Sequence, residues 1–132
     1  MQFIKHYLVA LVVFTLIDLV WLLFISRKLY QEKIGHLMAE KVNLPAAAIF
    51  YLLFIAAMVF FVINPALEKQ SILYALGAGA FFGLVTYATY DLTNLATLRD
   101  WPVSMTIIDL IWGTFITSST SALATWISGR FL

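Results

Sequence analysis

Residues 7–25 read YLVALVVFTLIDLVWLLFI, a run of apolar and aromatic side chains interrupted only by Thr15 and Asp18. An α-helix needs about 20 such residues to cross roughly 30 Å of hydrocarbon. Three more apolar blocks follow, at about residues 46–64, 71–98 and 103–128. The sequence therefore predicts an all-α membrane protein, with residues 1–132 forming one bundle of four transmembrane helices.

The composition excludes an ordinary soluble domain and several kinds of site. The chain is 63% hydrophobic and 11% charged, whereas soluble domains are roughly 25% charged. A net charge of +1 without a basic patch argues against a nucleic-acid partner. Because cysteine is absent and His6 and His36 are the only histidines, we predict no metal and no cofactor. The partners that the composition does predict are membrane lipids.

Proline and asparagine punctuate the apolar blocks. Asn43-Leu44-Pro45 predicts the start of helix two, and Asn64-Pro65 predicts its end. Arg99-Asp100-Trp101-Pro102 predicts a tight turn before helix four, with Trp101 in the aromatic belt at the membrane surface.

The longest polar connection, residues 26–44, has its own periodicity. Its apolar and basic side chains recur at helical spacing, namely Tyr30, Ile34, Leu37, Met38 and Lys41. This pattern predicts either a helical extension of helix one or an amphipathic segment at the interface. A solvated loop is the alternative.

Lysine and arginine are distributed unequally between the two sides of the membrane. Five of the eight would lie on the side where helix one ends, and three on the side of the termini. Cytoplasmic loops carry the excess of basic residues, so both termini are predicted to lie outside the cytoplasm.

Three of the four helices carry an aspartate inside the apolar block. Asp18, Asp91 and Asp109 lie seven to nine residues from the polar residues that bound their helices, which is about 10 to 13 Å below one face of the membrane. A charged aspartate near the bilayer centre costs about 2.5 to 3.5 kcal/mol. We therefore expect the three carboxyls to converge in a shared polar interior, where at least one should carry a proton near neutral pH.

Aromatic and polar side chains accompany these acids at helical spacing. The candidate residues of a ligand-binding or proton-carrying site are Asp18, Asp91, Asp109, Trp21, Trp112, Tyr87, Tyr90 and Asn94. The alternative is that the acids only join helices through hydrogen bonds, which average about 0.6 kcal/mol in membranes.

Two further patterns have packing explanations. Ala75, Gly79 and Gly83 place small residues at every fourth position of helix three, which favours close approach of another helix. The hydroxyls of residues 117–121 fit either helix packing or a polar path.

Helices one and four share a sequence pattern. Residues 15–25 and 106–116 match at seven of eleven positions, including Asp18 with Asp109 and Trp21 with Trp112. Since these helices run in opposite directions, the match suggests an inverted twofold relation like that of small transporters.

Residues 87–102, YATYDLTNLATLRDWP, followed by Asp109-Leu110-Ile111-Trp112-Gly113, resemble the DUF2177 family of small bacterial membrane proteins. That resemblance implies a multi-pass protein of the bacterial inner membrane and a lipid-related role. It implies no catalytic residues, because the family's function is unknown.

Three functions follow as expectations. The first is an intramembrane acidic and aromatic pocket that binds or modifies a lipid-like, amphiphilic or cationic small molecule. The second is a small proton-coupled transporter acting as a homodimer. The third is a structural or partner-binding membrane subunit. The sequence leaves open whether the protein is an enzyme, since it has no phosphate loop, zinc-protease motif or nucleophile elbow.

Overall fold

A computed structural model describes residues 2–38 and 43–132. Its helices are α1 (Gln2–Trp21), α2 (Arg27–Ile34), α3 (Leu44–Met58), α4 (Asn64–Lys69), α5 (Ile72–Thr97) and α6 (Val103–Phe131). A π turn at Leu22–Ser26 joins α1 to α2, and a second at Val59–Ile63 joins α3 to α4. Residues 39–42, part of the connection predicted to be helical or interfacial, lie outside the described residues.

Four helical spans are long and apolar enough to cross a membrane: Gln2–Ile25, Leu44–Lys69, Ile72–Thr97 and Val103–Phe131. Large apolar side chains cover their outer surface. Phe24 and Leu73, for example, are 80% and 79% exposed. Such a surface suits lipid and not water. The chain is therefore the expected all-α membrane protein with four transmembrane helices.

Helices α5 and α6 form an antiparallel hairpin held together by small residues. A Cβ added to Gly79 would lie 2.8 Å from the Ser121 hydroxyl, and one added to Gly83 would lie 2.3 Å from the Gly113 carbonyl oxygen. The two backbones touch because these side chains are missing. The small residues predicted on helix three thus pack against helix four.

The hydroxyls after Gly113 lie in the same hairpin. Thr117, Thr120 and Ser121 are fully buried, and Ser118 donates a 2.8 Å hydrogen bond to the Leu76 carbonyl of α5. These contacts favour the packing interpretation of residues 117–121.

The first two spans pack on this hairpin around an apolar core. The core includes Phe14 of α1, Ile55 and Met58 of α3, and Ile116 and Ala124 of α6. The second span contributes mainly its C-terminal half to this core, since residues 43–50 are all exposed.

The second span does not end at Asn64-Pro65, and that prediction was wrong. The helix continues to Lys69 and ends at Gln70, whose φ of 51° is left-handed. Proline normally breaks a helix because its ring collides with the carbonyl one turn earlier. Here the π turn at Val59–Ile63 directly precedes the proline and changes the spacing of those carbonyls.

The connection after span one is helical, as expected, and α2 is tied to the start of α6. The Lys33 ammonium donates a 2.7 Å hydrogen bond to the Ser104 hydroxyl. His36 Nε2 lies 3.7 Å from a carboxylate oxygen of Asp100 in the α5–α6 turn. These contacts hold α2 over the end of the bundle where the aspartates lie.

Candidate functional site

Asp91 and Asp109 form a pair of buried carboxyls between α5 and α6. Asp91 lies six residues before the end of α5, and Asp109 lies six residues after the start of α6, which places them at one level of the antiparallel hairpin. Their carboxyls are close enough to interact electrostatically and to share a proton, and they are 0% and 6% exposed. Both Asp91 oxygens lack a hydrogen-bond donor in the described part of the chain.

Tyr30 of α2 supplies a donor to the other member of the pair. Its hydroxyl donates a 2.8 Å hydrogen bond to Asp109 Oδ1. Burial and the neighbouring Asp109 charge raise the pKa of Tyr30 above its ordinary value, so the phenol keeps the proton that it donates. The Trp21 indole N–H in turn donates to the Tyr30 oxygen at 3.4 Å.

Asp18 lies on the other side of a stacked tryptophan pair. The Trp21 and Trp112 rings stack with centroids 4.4 Å apart and an angle of 12°. The Trp112 indole faces Asp18, although its buried N–H has no acceptor in hydrogen-bond geometry among the described residues. Trp112 of the segment in α6 thus lies towards Asp18 of the matching segment in α1. Trp21 of the segment in α1 is linked through Tyr30 to Asp109 of the segment in α6.

Tyr87 connects the acids. Its phenol is close enough to Asp18, Asp91 and Asp109 to interact electrostatically with all three. Its ring occupies the space left by Gly113, where an added Cβ would lie 2.2 Å from the ring. Gly113 is therefore what allows Tyr87 to reach the centre of the site.

Trp101 closes the site at the α5–α6 turn and does not face the membrane surface, contrary to the prediction. It is 7% exposed and packs edge-on against Tyr90 with centroids 5.7 Å apart. Its indole N–H donates a 3.0 Å hydrogen bond to Thr106, whose hydroxyl lies 3.4 Å from the Asp91 carbonyl. This indole finds its acceptor inside the bundle, which explains its burial.

Two cavities meet at Asp109 and Tyr90. The interfacial cavity has a volume of about 490 Å³ and lies under α2; its lining includes Tyr30, Ile34, Asn94 and Trp101. The lateral cavity has a volume of about 560 Å³ and is lined by Phe50, Thr86, Tyr87 and Thr89 in addition to the two shared residues. Phe50 is 62% exposed, so the lateral cavity adjoins the lipid-facing surface between α3 and α5.

The structure brings the eight predicted residues to one end of the bundle, in two groups. Asp91, Asp109, Tyr90 and Asn94 lie at the interfacial cavity or directly behind it. Asp18, Trp21 and Trp112 lie beyond them, with Tyr87 between the groups. The described residues contain no set of three His, Cys, Asp or Glu side chains that could hold a metal.

Two residues of the site were missed from sequence. Tyr30 lies in the polar connection, and helical spacing predicts that it belongs to the apolar face of that segment. The spacing does not show which part of the bundle this face packs against. Trp101 has the position of an ordinary interfacial tryptophan in sequence. Both needed knowledge of how α2 and the α5–α6 turn fold back over the aspartates.

Comparison with known proteins gives a family and no activity. The model of a family described as a predicted membrane protein, DUF2177, matches residues 3–126. Neither the curated proteins nor the solved structures contained a match to the chain.

Proposed function

The chain belongs to the DUF2177 family of predicted membrane proteins, and we propose that it binds a lipid-like amphiphile at Asp109. The head group of this amphiphile would donate hydrogen bonds or carry a positive charge. One observation carries the proposal: Asp109 lines both cavities and touches a buried carboxyl that has no donor.

The chemistry of the acid pair selects the head group. Two carboxyls in contact offer acceptors and at most a shared proton, so an amine or a hydroxyl complements them and a carboxylate or phosphate is repelled. The aromatic rings of Tyr87 and Tyr90 beside Asp109 also suit a cation.

The cavities favour a molecule with one polar end. Pockets of about 300 to 1,000 Å³ accommodate small molecules, and the lateral cavity lies within that range. Its remaining walls are apolar or aromatic, apart from the hydroxyls of Thr86 and Thr89. Both hydroxyls donate to carbonyls of their own helix. An apolar tail would leave this cavity past Phe50 into the lipid.

The test uses dodecylamine, dodecanol and dodecanoate added to the protein in lipid nanodiscs. Tryptophan fluorescence reports binding, because Trp21 and Trp112 stack beside the site. We expect the amine to bind most tightly and the carboxylate least. Asp109→Asn should weaken amine binding about tenfold, since a hydrogen bond to a charged group contributes about 1.5 to 3 kcal/mol.

Glu68→Gln is the control, because it makes the same change from an acid to its amide at an exposed position at the other end of the bundle. It should leave all three affinities unchanged. Equal amine binding by Asp109→Asn and the unchanged protein, with empty nanodiscs subtracted, would refute the proposal.

Proton-coupled transport by a homodimer is the second candidate, favoured by the position of Asp109 between a cavity under α2 and one beside the lipid. A carboxyl pair in such a position could carry a proton from one cavity to the other. Because the neutral form of dodecylamine crosses a bilayer unaided, the comparison is with protein-free liposomes. When dodecylamine is added outside, liposomes that contain the protein and a pH-sensitive dye should change their internal pH faster than protein-free liposomes. Equal rates with protein that binds the amine would exclude transport and leave the binding proposal intact.

A further inference from the structure

A separate cavity lies at the opposite end of the α5–α6 hairpin from the aspartates. Its volume is about 490 Å³, and it lies between the α4–α5 turn and the last turns of α6. The lining residues are Leu67, Gln70, Ser71, Ile72, Thr125, Trp126, Gly129 and Arg130. None of these residues belongs to the site proposed above.

The N-terminus of α5 adjoins this cavity. Ser71 caps the helix by accepting a 2.9 Å hydrogen bond from the Tyr74 N–H, and Ile72 at the first helical position lines the cavity. The N–H groups of the first turn have no acceptor inside the helix. The N–H groups not taken by Ser71 favour an anion, whereas the helix dipoles add little, because α4 and α6 end at the same cavity.

A buried hydroxyl provides a second and independent indication of a ligand. Thr125 is 3% exposed, and its Oγ1 has no hydrogen-bond partner within the described ranges. The hydroxyls of Thr117, Thr120, Ser121 and Ser128 on α6 share this property, but among the five only Thr125 lines the cavity. A buried hydroxyl without a partner is unfavourable, because it has given up its hydrogen bonds to water. A ligand oxygen in the cavity would remove that cost.

Charge and apolar surface narrow the class of ligand. Arg130 lines the cavity, whereas Glu68 and Lys69 in the adjoining turn offset each other, so the local balance is positive. Leu67, Ile72 and Trp126 form an apolar wall, and Trp126 is 50% exposed to the membrane. A phosphate joined to acyl chains fits this combination better than a free anion does.

We propose that this cavity binds the phosphate head group of an anionic phospholipid from the surrounding leaflet. Arg130 and the first turn of α5 contact the phosphate, and Thr125 donates a hydrogen bond to one of its oxygens. The glycerol and the upper acyl chain lie against Leu67 and Trp126.

The experiment is native mass spectrometry of delipidated protein in detergent, titrated with phosphatidylglycerol and separately with phosphatidylcholine. We expect phosphatidylglycerol to bind about fivefold or more tightly than phosphatidylcholine. Arg130→Gln and Thr125→Val should each weaken phosphatidylglycerol binding about tenfold, the effect of losing one hydrogen bond to a charged group. Arg130→Lys should restore part of the loss.

Lys5→Gln is the control, because it removes an exposed basic residue of α1 at the same end of the bundle. It should leave phosphatidylglycerol binding unchanged. Equal binding of the two lipids, or equal losses in Lys5→Gln and Arg130→Gln, would overturn the proposal.

Two further measurements test whether the bound phosphate belongs to a lipid and whether the Thr125→Val variant is folded. Inorganic phosphate at millimolar concentration should not displace the lipid, and displacement would mean that the cavity binds a free anion. The helical circular dichroism of Thr125→Val should equal that of the unchanged protein. Unchanged phosphatidylglycerol binding by that folded variant would also contradict the proposal.

Discussion

At the scale of the residue, the buried position of the Asp91 carboxyl is energetically unfavourable. Its carboxyl is fully buried without a donor and touches a second carboxyl. Burial of a polar group without a hydrogen bond is unfavourable, and a second acid beside it increases that cost. A side chain kept only to join two helices would pair with a hydrogen-bond donor of the other helix, whereas Asp91 lies beside a second acid.

Asp91→Asn should therefore stabilise the protein. The amide has the size of the carboxyl, and its N–H can donate a hydrogen bond to Asp109. The change also removes one buried acid. We expect the free energy of unfolding to rise by about 1 kcal/mol, measured by thermal unfolding in detergent. Amine binding should fall in the same variant.

Asp91→Ala is the companion variant, since it removes the acid but leaves a void. It should be no more stable than the unchanged protein. A destabilised Asp91→Asn with unchanged amine binding would instead favour the structural-subunit hypothesis.

Tyr30→Phe should loosen α2 from the bundle. The change deletes the hydroxyl that donates to Asp109 and accepts from Trp21, so Asp109 loses the hydrogen bond that ties it to α2. We expect a loss of about 1 kcal/mol in unfolding free energy and faster amide hydrogen exchange in residues 27–34.

Tyr74→Phe is the matched control for this change. Tyr74 lies in α5, and Lys69 Nζ lies 5.1 Å from the centroid of its ring. Phenylalanine preserves this cation–π contact. Equal stability losses in the two variants would show that the Tyr30 hydroxyl does not hold α2 in place.

At the scale of the element, the seam is the line of residues along which α5 and α6 face each other. It determines both the packing of the hairpin and the position of the acid pair. Starting from the turn, Asp91 faces Asp109 and Tyr87 faces Gly113. Gly83 then faces Thr117, and Gly79 faces Ser121. Each facing pair is four residues farther along both helices, so the acids are the last step of the same stripe that packs the hairpin.

Gly83→Ala should separate the two helices. The new Cβ would meet the Gly113 carbonyl oxygen at 2.3 Å and the Thr117 side chain at 2.7 Å. Both are held in the hairpin and cannot rotate away. Overpacking of this kind costs about 1 to 3 kcal/mol, and the resulting shift should also weaken amine binding at Asp109.

Gly77→Ala is the control, because the same methyl group there meets nothing within 4 Å. Helix propensity favours alanine over glycine by up to about 1 kcal/mol, so this variant should be as stable as the unchanged protein or more so. Similar losses from both substitutions would mean that the seam is not tightly packed.

The sequence was sufficient for the four helices. Apolar block lengths and the Asn43 cap follow from local rules, and Asn43 does accept a hydrogen bond from the Ala46 N–H. The end of span two did not follow, because the π turn before Pro65 depends on packing. The register of the hairpin could have been predicted from the sequence, because Asp91 continues the four-residue spacing of the small residues on helix three.

The sequence alone could not predict where α2 packs on the bundle. Periodicity predicted a helix after span one, but its contact with Asp109 depends on how the chain continues through the π turn at Leu22–Ser26. Contacts between residues 79 positions apart, such as Tyr30 with Asp109, leave no local signal.

At the scale of the whole molecule, the two proposed sites lie at opposite ends of the bundle. The acid pair and α2 occupy the end where α5 finishes, and the phosphate cavity occupies the end where α5 begins. A buried stripe of hydroxyls and glycines separates them. Its packing leaves no room for a Cβ at Gly79 or Gly83, so an aqueous path through this seam is not expected.

Single cysteines should reveal which end faces the cytoplasm, because the chain has no cysteine of its own. Asp100→Cys marks the end that holds the acid pair, and Glu68→Cys marks the opposite turn. The excess of lysine and arginine near the acid pair predicts that this end is cytoplasmic. A membrane-impermeant maleimide added to intact spheroplasts should then label Glu68→Cys and leave Asp100→Cys unlabelled.

Both variants should be labelled after detergent is added, which controls for the accessibility of each thiol. With this orientation the interfacial cavity under α2 opens towards the cytoplasm, and the phosphate cavity draws its lipid from the outer leaflet. The reverse labelling pattern would exchange those two assignments. It would leave the acid pair and its proposed ligand unchanged, because the contacts between Asp91, Asp109 and Tyr30 do not depend on which side the bundle faces.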